Sequence, residues 1–180
     1  MEFLAELEFS ILYWFQGLHN PFLDQLMPAV SFLGNSGWAF IVLGVVLFSM
    51  KKTRRAGLAI LLSLAAGFLI GNVLIKNLVM RSRPCWIDQA VPLLIPSPHD
   101  FSFPSGHTLA SFETAVSVFL YSRRWGIPLL ILAALIALSR LYLFVHFPTD
   151  VLSGMALGIF IGWYVHRTIE NRKNRAILRP

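Results

Sequence analysis

Three short segments hold the residues of this chain best suited to chemistry. The first is Lys76-Asn77-Leu78-Val79-Met80-Arg81-Ser82-Arg83-Pro84, the second Phe103-Pro104-Ser105-Gly106-His107. The third runs from Ser139 to Asp150 and includes Arg140, His146 and Pro148. A lysine and two arginines brought to one level call for an anion, and arginine's planar fork matches phosphate oxygens. Pro104-Ser105-Gly106 reads as the start of a helix, where free backbone N–H groups and the positive dipole end favour negative charge. Glycine at that point lets the backbone come close to an oxyanion. His107 and His146 then have something to act upon. Pro148 disfavours helix at Phe147 and suits the first turn of a following helix, so His146 sits on a loop and Asp150 in that first turn. A carboxylate there can take the proton of one ring nitrogen and leave the other as a lone pair. This is the orienting logic of a catalytic triad, with histidine as the nucleophile.

The elements that must position these residues follow from composition. The chain has 180 residues, is 56% hydrophobic before glycine is counted and only 13% charged. An ordinary soluble domain is roughly 45–50% apolar with glycine included and about 25% charged. The excess apolar surface must face something other than water, and the same numbers exclude a disordered chain. One cysteine, Cys85, excludes an internal disulfide framework and a cysteine-only zinc site. The chain is therefore an integral membrane protein, with a length suited to one domain over residues 1–180.

Spans are expected at Gly37–Met50, Ala56–Val79, His107–Tyr121, Ile127–Phe144 and Pro148–His166, some completed by interfacial residues. Residues 1–34 hold two weaker apolar runs. One is expected to cross and the other to lie in the interface as an amphipathic helix, with residues 1–20 the candidate for the latter. The first 20 residues contain no Lys or Arg, so no cleaved signal peptide is expected. Eleven of the 15 basic residues follow the Gly37–Met50, His107–Tyr121 and Pro148–His166 spans, among them a basic tail over 168–180. The positive-inside rule makes those loops cytoplasmic. With one crossing ahead of Asn35 the chain has six spans and both termini inside. Solvated loops and tail explain the net charge of +6 without a nucleic-acid partner. The four remaining basic residues, Lys76, Arg81, Arg83 and Arg140, fall on the opposite, outer face with the histidines, where such charges are costly unless used.

Taken together, K-x6-R-P from Lys76 to Pro84, P-S-G-H from Pro104 to His107, and S-R-x5-H-x3-D from Ser139 to Asp150 resemble the signature of the type 2 phosphatidic acid phosphatase superfamily. That superfamily also contains the vanadium haloperoxidases. Every signature position matches, in order. The resemblance implies an all-α fold: a polytopic membrane helix bundle with six transmembrane helices around a type 2 phosphatidic acid phosphatase/haloperoxidase-like core. It implies that His146 attacks phosphorus and forms a phosphohistidine, and that Asp150 orients and polarises His146. His107 protonates the leaving oxygen and then helps activate water. Lys76, Arg83 and Arg140, with Ser105 and the Gly106 N–H, hold the phosphoryl oxygens. No metal or other cofactor is implied, since fixed cations neutralise the phosphate.

The sequence thus points to a lipid phosphate phosphatase of a bacterial cytoplasmic membrane with its site at the outer leaflet. Its partners are the bilayer and a lipid phosphate. Undecaprenyl diphosphate, phosphatidylglycerophosphate and phosphatidate all fit, the first placed ahead because its recycling occurs on the outer face. A lipid phosphotransferase, or an anion or lipid transporter, is the alternative. Transport would not need the His146/Asp150/His107 set and favours internal repeats, of which none shows. Arg81 is expected to be a rim residue, Ser139 secondary, and Asp88, His99 and Asp100 part of a solvated outer loop. Glu113, inside the fourth span with no basic partner on that helix, is unexplained.

Overall fold

The computed structural model describes residues 2–177, and the side-chain surroundings of 3–171. Arg179 and the rest of 178–180, the end of the expected basic tail, lie outside the described residues. The elements are helical throughout that range: α1 (Glu2–Gln16), α2 (Pro21–Phe32), α3 (Trp38–Ser49), α4 (Arg54–Gly67), α5 (Lys76–Val79), α6 (Pro84–Ile87), α7 (Gly106–Tyr121), α8 (Arg123–Tyr142) and α9 (Pro148–Ile177). A 3₁₀ turn, Asn35–Gly37, joins α2 to α3, and a stretch of π-helix, Phe68–Ile75, carries α4 into α5.

Local signals set these boundaries. Asn20 caps α2, its side-chain oxygen accepting from Phe22 N–H at 3.1 Å and Leu23 N–H at 3.0 Å, with Pro21 in the first position. Pro148 opens α9 as its fixed φ allows. The rod from α4 to α5 ends at Met80, which adopts a left-handed conformation with φ 48°.

Helix α7 is the centre of the bundle, packed against α9, α8 and α4. The four-residue spacing of Gly154, Gly158 and Gly162 puts small residues on the α9 face that meets α7. A Cβ at Gly158 would lie 2.7 Å from Leu109 O, and one at Gly162 2.8 Å from Glu113 O. Without a hydrophobic force between helices in lipid, such close backbone approach supplies the packing. The apolar core runs through Phe112, Ala115, Ala133, Ala137 and Leu141 to the loop residues Leu143–Val145 and Phe147. Large apolar side chains such as Phe68, Leu69, Ile131 and Phe160 remain exposed on the outside of the bundle, as a lipid-facing surface requires.

Two stretches, Arg54–Ile87 and Arg123–Tyr142, are long and apolar enough to cross a membrane by themselves. The pair Pro21–Phe32 and Asn35–Ser49, bent by 43°, adds a third if counted as one span. Length and composition of the described helices therefore give two or three crossings where the sequence reading expects six. Helices α1 and α2 make their recorded side-chain contacts at one end of the bundle. Gln16 donates to Tyr142 O, Tyr142 Oη to Asp24, and Arg140 to Ser31. At the other end, Lys51, Lys52, Arg55, Trp125 and His166 line a cavity of about 950 Å³.

Candidate active site

The three motif segments meet at the end of the bundle formed by the start of α7, the end of α8, the start of α9 and the end of the α4–α5 rod. His146 lies on the tight loop between α8 and α9, 1% exposed. Arg83 Nη1 stands 3.1 Å from His146 Nε2. Arginine has no acceptor, so Nε2 must present its lone pair and the ring proton must sit on Nδ1. On that side Asp150 Oδ2 lies 3.5 Å away and Ser102 Oγ 3.4 Å. Ser102 Oγ donates to Asp150 Oδ2 at 2.5 Å, and Phe147 N–H donates to the same oxygen at 2.8 Å. The orienting group is thus a carboxylate with a hydroxyl at its side, and it fixes the tautomer in which Nε2 keeps a lone pair, here accepting from Arg83 Nη1. Burial, then the charges of Arg83, Arg140 and Lys76, hold His146 well below the usual histidine range. At neutral pH the ring is therefore uncharged.

The cations converge around it. Arg83, 2% exposed, also donates to Val145 O at 2.7 Å and to Asp100 O at 2.7 Å, which fixes its plane. Arg140, 2% exposed, spends Nη1 on Ser31 Oγ, while its Nε has no partner among the described residues. Lys76, Arg83, Gly106, His107, Arg140 and His146 share the wall of one cavity of about 1130 Å³. His107 Nε2 is 2.8 Å from Asn35 Oδ1. That oxygen only accepts, so Nε2 carries a proton in this arrangement. At Gly106 a Cβ would meet Asn72 Oδ1 at 2.7 Å, so a larger residue there would have to displace the Asn72 side chain. Ser105 is fully buried and off the cavity wall; its N–H donates to Asp150 O at 3.1 Å and its Oγ accepts from Thr108 Oγ1 at 3.0 Å. Ser105 therefore ties α7 to α9, while the neighbouring N–H groups of the first turn receive no side-chain cap.

The sequence profile of the PAP2 superfamily, the type 2 phosphatidic acid phosphatases, matches residues 56–174. This chain belongs to the PAP2 superfamily. It is 32% identical over 162 residues to the undecaprenyl-diphosphatase BcrC of Bacillus subtilis, across 90% of this chain and 80% of that protein. It is 34% identical over 142 residues to an undecaprenyl-diphosphatase of Sulfolobus acidocaldarius, across 78% of this chain and 68% of that protein. Among solved structures, the PAP2-type phosphatidylglycerolphosphate phosphatase of Bacillus subtilis superposes with a TM-score of 0.80 at 27% identity, over 95% of this chain and 88% of that one. The activity is accordingly that of a membrane lipid phosphatase.

Within the PAP2 site, two sequence expectations need correction. Arg81 is not a rim residue. It donates to Asp150 Oδ1 at 2.6 Å, Thr149 Oγ1 at 2.7 Å and Glu8 Oε2 at 2.5 Å, with its guanidinium 4.1 Å above the Phe147 ring. It braces the Asp150 carboxylate from behind and ties α1 to α9. Asp100 is exposed on its loop as expected, but it is also ion-paired into the site: Lys76 Nζ donates to its Oδ2 at 2.5 Å and Arg83 Nη2 to its Oδ1 at 2.7 Å. Sequence reasoning also missed Ser102, Asn35 and Glu8, none of which stands at a telling spacing from its partner. Glu113 lines the deep part of the cavity, 1% exposed, with Oε2 unpartnered among the described residues. A Cβ at Gly67 would lie 2.1 Å from that oxygen, so a glycine makes room for the carboxyl.

Proposed function

We propose that this PAP2 protein hydrolyses a phosphate or diphosphate ester of a membrane lipid through a phosphohistidine on His146, as one membrane-embedded domain. The observation that carries the reading is that His146, its Nε2 accepting from Arg83 Nη1 at 3.1 Å and its Nδ1 side toward Asp150, lines one cavity with Lys76, Arg83 and Arg140. In the first step the lone pair attacks phosphorus, the bond from phosphorus to the leaving oxygen breaks, and His107 gives that oxygen a proton. In the second, His107 takes a proton from water, water oxygen attacks phosphorus, and the N–P bond breaks to release phosphate. The three cations and the Gly106 N–H offset the charge on the phosphoryl oxygens in both steps. The names of the relatives favour undecaprenyl diphosphate as substrate, with phosphatidylglycerophosphate and lipid A phosphate esters next.

Fixed cations make an added metal unnecessary. Purified protein given a panel of lipid phosphates should release inorganic phosphate in excess EDTA and lose activity with orthovanadate, which adopts the five-coordinate geometry of in-line attack. A strict magnesium requirement, restored after chelation, would overturn the fixed-cation account. Transfer of the phosphoryl group to an added alcohol without phosphate release would make the protein a phosphotransferase.

The site is proposed to open outward from the cytoplasmic membrane of a bacterium. What supports this is the basic cavity of Lys51, Lys52 and Arg55 at the end of the bundle remote from His146. In a Cys85→Ser background, Gln89→Cys should react with an impermeant maleimide in intact cells, and Lys52→Cys only after permeabilisation. The reverse pattern would put the site in the cytoplasm. The sixth crossing and a cytoplasmic N-terminus rest on which of α1 and α2 crosses, and Phe3, Leu4 and Leu7 of α1 are exposed as either a lipid-facing or an interfacial side would be. The 15 residues of α1 reach about 22 Å, short of a core of about 30 Å. Phe3→Cys should be shielded from outside if α1 crosses, and labelled from outside if α1 lies in the outer interface.

A further inference from the structure

The phosphate-binding cations already hold an anion. Asp100 places one carboxylate oxygen 2.5 Å from Lys76 Nζ and the other 2.7 Å from Arg83 Nη2. Its side chain is 57% exposed, while those of Lys76 and Arg83 are 7% and 2% exposed. The two cations belong to the buried framework, whereas the carboxylate reaches them from the loop that leads into Pro104. It lines the same cavity as His107 and His146. Burial alone would raise the Asp100 pKa, but the Lys76 ammonium and the Arg83 guanidinium outweigh it and hold the group at about 2. The carboxylate therefore remains charged at any working pH.

Lys76 has three donors and Arg83 five, and a phosphoryl group needs the donors now turned toward Asp100. Resting on the reading of Lys76 and Arg83 as phosphate holders, we infer that Asp100 is an internal competitor for the phosphoryl subsite: it fills the subsite in the empty enzyme and is displaced by substrate. The cost of displacement is the same for every anion. It leaves the ratio between ligands unchanged but lowers the occupancy of all of them. The anions most affected are those that bind weakly and are abundant. In a membrane these are phosphodiester phospholipids, which carry one charge, and in the reaction the released phosphate. A lipid monoester or diphosphate, with more charge and a reactive phosphorus, still displaces the carboxylate. Asp100 also takes over the two cations as the product leaves, so they are never left bare and buried.

The test uses the full chain in neutral detergent, with inorganic phosphate as the probe. Calorimetric titration should show phosphate bound at least about tenfold more tightly by Asp100→Asn and by Asp100→Ser than by the wild type. Inhibition of phosphate release by phosphatidylglycerol in mixed micelles should strengthen by a similar factor. Equal or weaker phosphate binding in the folded variants would overturn the inference and make Asp100 a brace that aims Lys76 and Arg83. Failure of both variants to fold would overturn it in the same way. The lipid phosphatase reading fails separately. If it were wrong, the wild type would release no phosphate from lipid substrates, yet the variants would still bind phosphate more tightly.

Discussion

His146→Ala should lower kcat by at least about 10³-fold, because it removes the atom proposed to bond to phosphorus and not merely a binding contact. The variant should still fold. His146 is fully enclosed, but its ring makes few polar contacts, and Arg83 keeps Val145 O and the backbone O and Oδ1 of Asp100 as partners. Thermal unfolding and phosphate binding by the variant would confirm that the pocket survives. Near-normal turnover in such a protein would remove His146 as the nucleophile. The wild-type pH profile supplies a second readout. The folded-state pKa lies well below the usual 6.5, so His146 is neutral above that pH and is protonated only well below it. Activity is therefore present at neutral pH and lost as pH falls through the lowered value. The acid limb of kcat/KM, corrected for ionisation of the substrate, should sit well below 6.5. A limb at or above 6.5 would show that the cations do not act on this ring.

Asp150→Asn should lower kcat by about 10²- to 10³-fold and cost about 1.5–3 kcal/mol of stability. Both follow from counting donors. Arg81, Ser102 and Phe147 N–H all donate to the Asp150 carboxylate, and the Nδ1 side of His146 faces it. Every neighbour offers a proton, so the two amide protons of asparagine must face a donor whichever way the group is turned. The imidazole would lose the fixed charge that orients it and supports positive charge on the ring as the N–P bond forms. Turnover and unfolding temperature, measured together, check the prediction. A loss of stability with unchanged kcat would reduce Asp150 to a fastener between α9 and the loop.

The reacting groups were legible because they lie in short segments at the ends of apolar runs, where a charge has few bland uses. Lys76, Arg83, Arg140, His107 and His146 were read from type and spacing, and the fold brings them to one cavity. What remained hidden depends on partners far away in the chain. Arg81 is of the same type as Arg83 and only two residues from it, yet it points to Glu8, 73 residues away. Asp100 reads as one more polar loop residue until the fold sets it on Lys76, 24 positions earlier. Ser102 joins the orienting group only because α9 begins beside it, with Asp150 48 residues on. The N-terminal segment was the least legible. Its apolar residues support a crossing and an interfacial helix equally, and its two helices draw their polar partners from the end of the bundle that carries the site.

The π-helical stretch Phe68–Ile75 sits between the glycine that admits Glu113 and the lysine of the cation cluster. Composition gives no sign of it, since a wider turn uses the same apolar residues. Its consequence is a matter of counting. In an α-helix each residue turns the chain by about 100°, so a stretch of wider turns changes the heading of everything beyond it. Lys76 and Asn72 face the cavity on this account, while Gly67 and Gly71 meet α7. The number of residues between Gly67 and Lys76 is therefore as much a part of the catalytic apparatus as their identity. Apolar substitutions along the lipid-facing side leave the heading intact, whereas loss or gain of one residue swings the lysine away from the cavity it shares with His146 without altering a single motif.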